Sequence, residues 1–119
     1  MPFQGRFAVD SRRCVSYLTI EHKGEIEPGL ADKTWTLAFG CDICQEVCPF
    51  NQPRPSQPLR ARPGADPDLC DWRPWPSEEA VLAWTAEEWD QATRGSAVRR
   101  AGYEGLRRNV LLALRNRDL

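Results

Sequence analysis

Three of the five cysteines lie in one short segment, GCDICQEVCPFN, where they form a C-x2-C-x3-C-P run. Steps of three and four residues let the thiolates of Cys41, Cys44 and Cys48 close on one metal centre, and Pro49 prevents the chain from continuing as a regular helix. A run of this kind is typical of bacterial 4Fe-4S sites. It therefore predicts that this part of the chain folds around a cluster, which requires a fourth thiolate.

The fourth ligand is predicted to be Cys14. It lies in the segment DSRRCVSYLTIE, whose residues look as closely specified as those around the cysteine run. Cys70 is the weaker candidate. His22 is a possible metal ligand as well, but a single histidine between Glu21 and Lys23 is typical of a solvated loop residue.

Two other uses of the cysteines compete with a cluster. Disulfide bonds form in oxidising compartments, and the sequence shows no secretory signal peptide, so a reduced cytoplasmic setting is favoured. A structural zinc site also takes four thiolates, but zinc motifs more often pair two C-x2-C units. Iron and sulfide are therefore favoured over zinc.

The length of 119 residues limits the fold to one small domain with a modest core. Hydrophobic residues make up 41% of the chain and ten residues are proline, so turns and extended loops are expected beside any helices. The net charge of -1 excludes a globally basic nucleic-acid binder. No apolar stretch approaches the roughly twenty residues that span a bilayer, so we expect a soluble protein.

Three sections are predicted along a chain that we expect to be mostly α-helical with irregular loops. Residues 1–51 hold the expected cluster ligands, residues 52–76 form a proline-rich linker, and residues 77–119 form a helical tail. In the first section, FAVD alternates like a short strand, CVSYLTIE favours a short helix, and residues 31–37 favour a helical stretch that ends near Gly40. The linker contains too many prolines for a continuous helix or strand.

The tail begins with two predicted helices. Ser77 is expected to cap a helix that runs to about Trp84. Thr85 with Glu88 makes a capping-box pattern for the next helix, which we expect Gly95 to end.

A last helix is predicted from about residue 104 to residue 116, in a region where arginines outnumber acidic residues. The apolar face of this helix comprises Leu106, Val110, Ala113 and Leu114. Arg108 and Arg115 fall on the opposite face. Such arginines usually form a solvated surface, but their planar guanidinium groups also suit phosphate, so a phosphate-binding strip is the alternative.

Three blocks of the sequence together resemble the epoxyqueuosine reductases, which are iron-sulfur and cobalamin enzymes that complete queuosine in tRNA. Residues 10–21, DSRRCVSYLTIE, resemble the segment after the family's first cluster motif, and residues 40–51, GCDICQEVCPFN, resemble its second cluster motif. Residues 95–109, GSAVRRAGYEGLRRN, are similar to the family's tail block. Val15 and Phe50 depart from the isoleucine and tryptophan that are common there.

The resemblance implies a two-cluster, ferredoxin-like iron-sulfur module, of which this chain is the C-terminal part, followed by the linker and short helices. In that arrangement Cys14, Cys41 and Cys44 hold one 4Fe-4S cluster with a cysteine of an upstream motif, and Cys48 crosses over to the second cluster. The upstream motif and the family's N-terminal cobalamin domain, which carries the catalytic acid, have no counterpart in these residues. We therefore expect a fragment without catalytic residues of its own, inactive alone.

The family converts epoxyqueuosine to queuosine in tRNA, so the expected role of this chain is electron delivery to the cobalamin of the missing domain or of a separate chain. The resemblance also implies an electron donor and contact with the tRNA anticodon loop. Candidate tRNA-binding residues are Arg12, Arg13, Arg99, Arg100, Arg107 and Arg108. We expect three apolar side chains, Ile43, Val47 and Phe50, to shield the cluster from water. For Ile43 and Val47 this role is compatible with ordinary core packing.

Two alternatives stay open. A free-standing, ferredoxin-like electron carrier is possible if one 4Fe-4S cluster takes Cys14, Cys41, Cys44 and Cys48 together. A zinc-stabilised binding module without a redox role is less favoured.

Overall fold

The computed structural model describes residues 8–52 and 74–118, and within these two ranges the chain is mostly helical. Val9 forms an isolated bridge, and the described residues contain no longer strand. The prediction of a mostly α-helical chain is therefore confirmed for these residues, and the short strand expected at FAVD is reduced to that bridge in its described part. Most of the predicted linker, including Cys70, lies outside the described residues.

Six α-helices fall in the described ranges. They are α1 (Val15–Ile20), α2 (Pro28–Ala31), α3 (Ile43–Glu46), α4 (Glu78–Ala83), α5 (Ala86–Ala92) and α6 (Tyr103–Arg117). Short 3-10 helices accompany them at Ser11–Arg13, Asp32–Thr34 and Ala97–Ala101. Within the same ranges, none of the helices is long and apolar enough to cross a membrane.

The described residues divide into two compact units. The first lies within Met1–Cys41 and Ser77–Leu119, and we call it the helical framework. The second lies within Asp42–Pro76, and its residues 42–52 are called the cysteine turn. The three predicted sections stay a prediction. In the described residues α6 packs on α1 and on α4, so the tail contacts the N-terminal helices within the helical framework.

Helix α6 is the centre of the helical framework. Its residues Leu106 and Val110, one helical turn apart, are each 1% exposed and pack with Val81 of α4. Ala113 is buried on the same helix, as predicted, while Leu114 is half-buried beside this cluster. Burial of a Leu or Val side chain stabilises a fold by about 1.5–3 kcal/mol, so these contacts fix the tail within the framework.

The N-terminal helices are held by a second, smaller cluster. Leu18 of α1 packs with Ile26 and Ala31, and Leu112 of α6 lies half-buried against them. Helix α1 confirms the short helix predicted at CVSYLTIE. Because α6 contributes to both clusters, it joins the two ends of the chain.

The helix predicted at residues 31–37 lies earlier than expected. Helix α2 begins at Pro28, whose fixed φ suits the first helical turn, and the 3-10 helix Asp32–Thr34 follows directly. Trp35 then ends the helical stretch with a φ of 50°, a left-handed backbone conformation that residues other than glycine rarely adopt. The sequence prediction was therefore wrong at both ends of this stretch.

The predicted helix caps of the tail are confirmed. The Ser77 hydroxyl accepts a hydrogen bond from the amide of Ala80 at 3.2 Å. The Thr85 hydroxyl accepts from the amide of Glu88 at 3.2 Å, and the Glu88 carboxylate accepts from the amide of Thr85 at 2.8 Å, which completes a capping box. Helix α5 ends at Ala92, a little before the Gly95 that was expected to end it.

Candidate iron-sulfur site

The cysteine turn contains a single turn of helix that carries Cys44. The carbonyl of Asp42 accepts from the amides of Gln45 at 2.8 Å and Glu46 at 2.9 Å, which closes this turn. Gly40 enters it with a φ of 73°, where a side chain would be strained. The first amides of a helix have no partner within that helix, so the start of α3, which carries Cys44, offers N–H donors.

The turn ends as the proline after Cys48 predicts. The amide of Cys48 donates to the carbonyl of Gln45 at 3.3 Å, and the carbonyl of Cys48 accepts from the amide of Asn51 at 2.9 Å. The side-chain amide of Asn51 also donates to the backbone and side-chain oxygens of Gln45, both at 3.0 Å. These bonds all join residues close in sequence, so the turn is held by local contacts.

Apolar side chains of the cysteine turn face solvent. Val47 is 69% exposed and Phe50 is 85% exposed, and neither belongs to a buried cluster of the described residues. Ile43 is half-buried. Core packing therefore does not account for Val47 and Phe50.

Cys14 occupies the start of α1. Its amide donates to the carbonyl of Ser11 at 3.0 Å, and its carbonyl accepts from the amide of Leu18 at 2.9 Å, so Cys14 is the N-cap residue. The Asp10 carboxylate stabilises the preceding turn by accepting from the amide of Arg12 at 3.1 Å. The Arg12 guanidinium, which also donates to this carboxylate, holds the pKa of Asp10 below its ordinary value.

The described cysteines are all free thiols. Cys14 and Cys41 are half-buried parts of the helical framework, whereas Cys44 is exposed and, with the half-buried Cys48, lies in the cysteine turn. Within residues 8–52 and 74–118, the structure gathers no three or more Cys, His, Asp or Glu side chains into a metal-binding group. The four-cysteine ligand set thus stays a prediction. Its donors nevertheless fit a 4Fe-4S cluster, because four thiols without disulfide partners supply the ligands that such a cluster takes.

His22 makes a backbone contact instead of joining the cysteines. Its Nε2 lies 2.9 Å from the carbonyl oxygen of Glu25, within the loop that follows α1. Cys70, the weaker candidate for the fourth ligand, lies outside the described residues.

Arg108 is placed differently from the solvated face on which the sequence put it. Its guanidinium is half-buried and donates to the carbonyls of Leu18 at 2.8 Å and His22 at 3.1 Å, and also to that of Gly24. Burial lowers the pKa of Arg108 below its ordinary value, although an arginine stays charged in proteins. This side chain joins α6 to the end of α1 and the following loop.

Arg99, Arg100 and Arg107 also have partners in the protein. Arg99 donates to the Asp90 carboxylate at 2.6 Å and lies over the Trp89 ring at 5.3 Å. Arg100 pairs with the carboxylate of Glu21, and Arg107 donates to the Leu82 carbonyl and lies 5.5 Å from the Tyr103 ring centroid. Each of these side chains is at least partly engaged in intramolecular contacts.

The two arginines next to Cys14 are both exposed. Arg12 pairs with Asp10 at 2.8 Å but remains 79% exposed. Arg13 is exposed, and its guanidinium has no hydrogen bond or ion pair with another described residue.

Asn109 was missed as a site residue by the sequence reasoning. It is 2% exposed, and its side-chain amide donates to the carbonyls of Thr19 at 2.7 Å and Ala38 at 2.9 Å. The only sequence signal for it is its place at the end of the tail block, in the Arg-Asn pair with Arg108. A polar residue among the apolar positions of α6 gives no indication by itself of which backbone it binds.

Residues 2–51 match a protein family described as a 4Fe-4S double cluster binding domain. The matched range includes Cys14, Cys41, Cys44 and Cys48. It identifies this part of the chain as a 4Fe-4S cluster-binding domain.

Relatives with a common name align over nearly the whole chain. An epoxyqueuosine reductase of Francisella cf. novicida is 43% identical over 108 residues, which are 91% of this chain and 28% of that protein. The enzymes of the same name from Burkholderia pseudomallei and Escherichia coli are 42% and 38% identical, over 92% of this chain and 26% and 28% of their own lengths. The chain thus spans less than a third of the length of these relatives. No solved structure matches it.

Proposed function

We propose that this chain, which belongs by sequence to the epoxyqueuosine reductase family, forms the iron-sulfur electron-transfer portion of an enzyme that converts epoxyqueuosine to queuosine in tRNA. The observation that carries the proposal is the coincidence of the cysteine run with the 4Fe-4S domain match, inside an alignment at about 40% identity to epoxyqueuosine reductases. The domain match supports the proposed cluster, and the shared name of the relatives supports the proposed reaction. In this proposal the cobalamin belongs to another domain or another chain.

The proposed ligands are Cys14, Cys41, Cys44 and Cys48. When bound, a 4Fe-4S cluster gains and loses single electrons at a potential set by the hydrogen bonds and burial around its sulfur atoms. The first amides of α3 are suited to donate such hydrogen bonds. Val47 and Phe50, exposed in the structure, are suited to cover the cluster from water.

A double-cluster arrangement requires ligands from outside this chain. Two 4Fe-4S clusters take eight thiolates, four for each, whereas the chain has five cysteines. We therefore propose that Cys48 serves a second cluster, and that an upstream segment or a partner chain supplies the remaining thiolates.

Contact with tRNA is assigned first to Arg13 and Arg12. Both are exposed beside Cys14, whereas Arg108 is half-buried and donates to backbone carbonyls. Arg13 can pair with phosphate without giving up a contact to another described residue. Arg12 would have to share its guanidinium with Asp10, but at 79% exposed it is more accessible than Arg99 or Arg100. Arg99, Arg100 and Arg107 remain secondary candidates, since each would have to share or exchange a partner.

A free-standing electron carrier is the second candidate function. The chain has five cysteines, and four of them, Cys14, Cys41, Cys44 and Cys48, would be enough for one 4Fe-4S cluster. In a carrier, all four would bind the same cluster, and no cobalamin domain would be needed.

Anaerobic reconstitution with iron and sulfide distinguishes these functions. Iron, sulfide and zinc are measured per chain, and the dithionite-reduced protein is examined by EPR. We expect substoichiometric iron for the chain alone, rising when a polypeptide with the upstream motif is added. About four irons per chain without any addition would favour the carrier, while one zinc without iron would overturn the redox function.

Two cysteine variants test the fourth ligand in the same assay. Cys14→Ala should lose the iron that the wild-type chain binds, because an open coordination position destabilises the cluster. Cys70→Ala is the matched control and should retain that iron. The opposite pattern would assign the fourth position to Cys70.

A further inference from the structure

We infer that Asn109 is a positioning residue for the cluster site, because its side chain fixes the two backbone segments that carry Cys14 and Cys41. This inference rests on the proposed iron-sulfur function of those cysteines. It assigns to the Arg-Asn pair of the tail a role inside the protein.

The carboxamide of Asn109 joins two segments far apart in sequence. Its Nδ2 donates to the carbonyl of Thr19, in α1, at 2.7 Å and to the carbonyl of Ala38 at 2.9 Å. Cys14 lies at the start of α1, and Cys41 follows Ala38 by three residues. Since Asn109 is 2% exposed, water cannot readily replace these two bonds.

Thr19 extends the connection toward both cysteines. Its hydroxyl accepts from the amide of Gly40, the residue before Cys41, at 3.0 Å. The same hydroxyl donates to the carbonyl of Val15, the residue after Cys14, at 2.9 Å. One oxygen atom therefore links the immediate neighbours of the two predicted ligands.

Arg108 fixes the orientation of the carboxamide. Its Nε and one terminal nitrogen donate to the Asn109 Oδ1 at 3.1 and 2.8 Å, and the same terminal nitrogen donates to the Leu18 carbonyl at 2.8 Å. The oxygen of the carboxamide thus accepts from Arg108 while its nitrogen donates to Thr19 and Ala38. With both ends engaged, Asn109 has a single favourable orientation.

The structure provides a matched comparison on the same helix. Asn116 lies two helical turns after Asn109 and donates to the carbonyls of Ala31 at 2.9 Å and Trp35 at 3.0 Å. Like Asn109, it donates two hydrogen bonds to backbone carbonyls of the N-terminal segment, but neither accepting residue neighbours a cysteine. Comparing substitutions of the two asparagines therefore distinguishes an effect on the position of the cysteines from a general loss of stability.

The first test measures cysteine alkylation in the apo chain of 119 residues, so it does not depend on bound iron. Iodoacetamide labelling is followed at each cysteine by peptide mass spectrometry for Asn109→Ala and Asn116→Ala. We expect Asn109→Ala to speed alkylation of Cys41 and Cys14 by roughly three- to ten-fold, because losing the two bonds allows local opening. Labelling of the exposed Cys44 should stay at the wild-type rate, and Asn116→Ala should leave all three rates near wild type.

A second pair of variants covers the case in which Asn109→Ala fails to fold. Thr19→Val removes the acceptor of the Gly40 amide with little change of shape, and should also speed alkylation of Cys41. Thr34→Val is its control, because Thr34 is equally buried at 1% exposed but donates to Ala31, away from the cysteines.

Reconstituted protein gives the second readout, the rate at which a chelator removes iron. Asn109→Ala should lose iron several-fold faster than Asn116→Ala if their melting temperatures are similar. Equal alkylation rates at Cys41 in the two asparagine variants, with Thr19→Val matching Thr34→Val, would overturn the inference. A wild-type chain that binds no iron even when a polypeptide with the upstream motif is added, but shows the expected alkylation contrast, would instead contradict the proposed function and leave the positioning of these segments supported.

Discussion

The helical framework and the cysteine turn each carry two of the four predicted ligands, but they are held by different interactions. In the framework, Cys14 and Cys41 belong to segments that Asn109 and Thr19 connect over long sequence separations. In the turn, the bonds around Cys44 join residues at most six positions apart, and the side chains of Val47 and Phe50 face solvent. The framework is built from buried contacts, and the turn is built from local ones.

This difference indicates how the two regions depend on a bound cluster. A framework with a buried core has its own source of stability, so it is expected to keep its fold without metal. A short turn with little buried surface gains most of its order from the groups that it binds, which is the usual coupling of metal binding to folding. Cys14 and Cys41 are therefore expected to be ordered before a cluster binds, whereas Cys44 and Cys48 are expected to be ordered mainly by binding.

The largest effect that tests this difference is loss of the cluster in Cys44→Ala. We expect this variant to bind almost no iron after reconstitution, because the cluster loses a thiolate. The apo framework should keep its stability within about 0.5 kcal/mol, since an exposed residue of the turn is changed. Iron analysis and thermal unfolding by circular dichroism measure the two quantities. A cooperative loss of helix in the apo variant would show that the two regions are not independent.

The next effect concerns the core of the framework. Leu106→Ala should lower the free energy of unfolding by about 2–5 kcal/mol, because Leu106 is 1% exposed and its loss leaves a cavity beside Val81 and Val110. Urea unfolding followed by circular dichroism measures it. Leu111→Ala, on the same helix but 52% exposed, is the control and should change the free energy by less than about 0.5 kcal/mol. Similar losses in both variants would contradict the assignment of a buried face to α6.

A smaller effect is expected at the capping box. Thr85→Ala removes the acceptor of the Glu88 amide at the start of α5 and should lower the free energy of unfolding by about 0.5–2 kcal/mol. Gln91→Ala, exposed within the same helix, is the control. A Thr85→Ala variant as stable as Gln91→Ala would mean that α5 contributes little to the framework.

The smallest expected effect is the contribution of Asp90 to the pH dependence of the free energy of unfolding. Hydrogen bonds from Arg94 and Arg99 hold the pKa of Asp90 below its ordinary value in the folded protein. Its stabilising contribution is therefore present above the unfolded-state pKa of about 3.9 and is lost as the pH falls through the folded-state pKa. Asp90→Asn should be slightly less stable than wild type near pH 7, and the difference should shrink below about pH 4. A difference that is constant from pH 7 to pH 3 would contradict this interpretation.

Helix signals that depend on neighbouring residues were predicted well. The Ser77 cap, the Thr85 and Glu88 capping box and the apolar face of α6 are present in the structure. Each arises from bonds or periodicity within a few residues, so the sequence contains the information directly. The position of α2 was missed because Pro28 starts the helix ahead of residues 31–37, where the helical stretch was expected.

The arginines show where sequence patterns stop being informative. The periodicity of the sequence placed Arg108 on the face of α6 opposite its apolar residues. The opposing surface is not solvent but the end of α1 and its loop, whose carbonyls accept from Arg108. Arg13, in the short 3-10 helix before Cys14, is exposed, in contrast to the half-buried Arg108.

The sequence alone indicated a 4Fe-4S cluster-binding domain and the relationship of the chain, because both depend on the kinds of residues and their spacing. A C-x2-C-x3-C-P run offers thiolates to a cluster wherever the rest of the chain lies. The tertiary structure alone decided that the tail packs on the N-terminal helices and that Asn109 bonds the segments next to Cys14 and Cys41. Such bonds join residues about seventy to ninety positions apart, and their partners are backbone carbonyls that every residue possesses, so no local pattern can identify them.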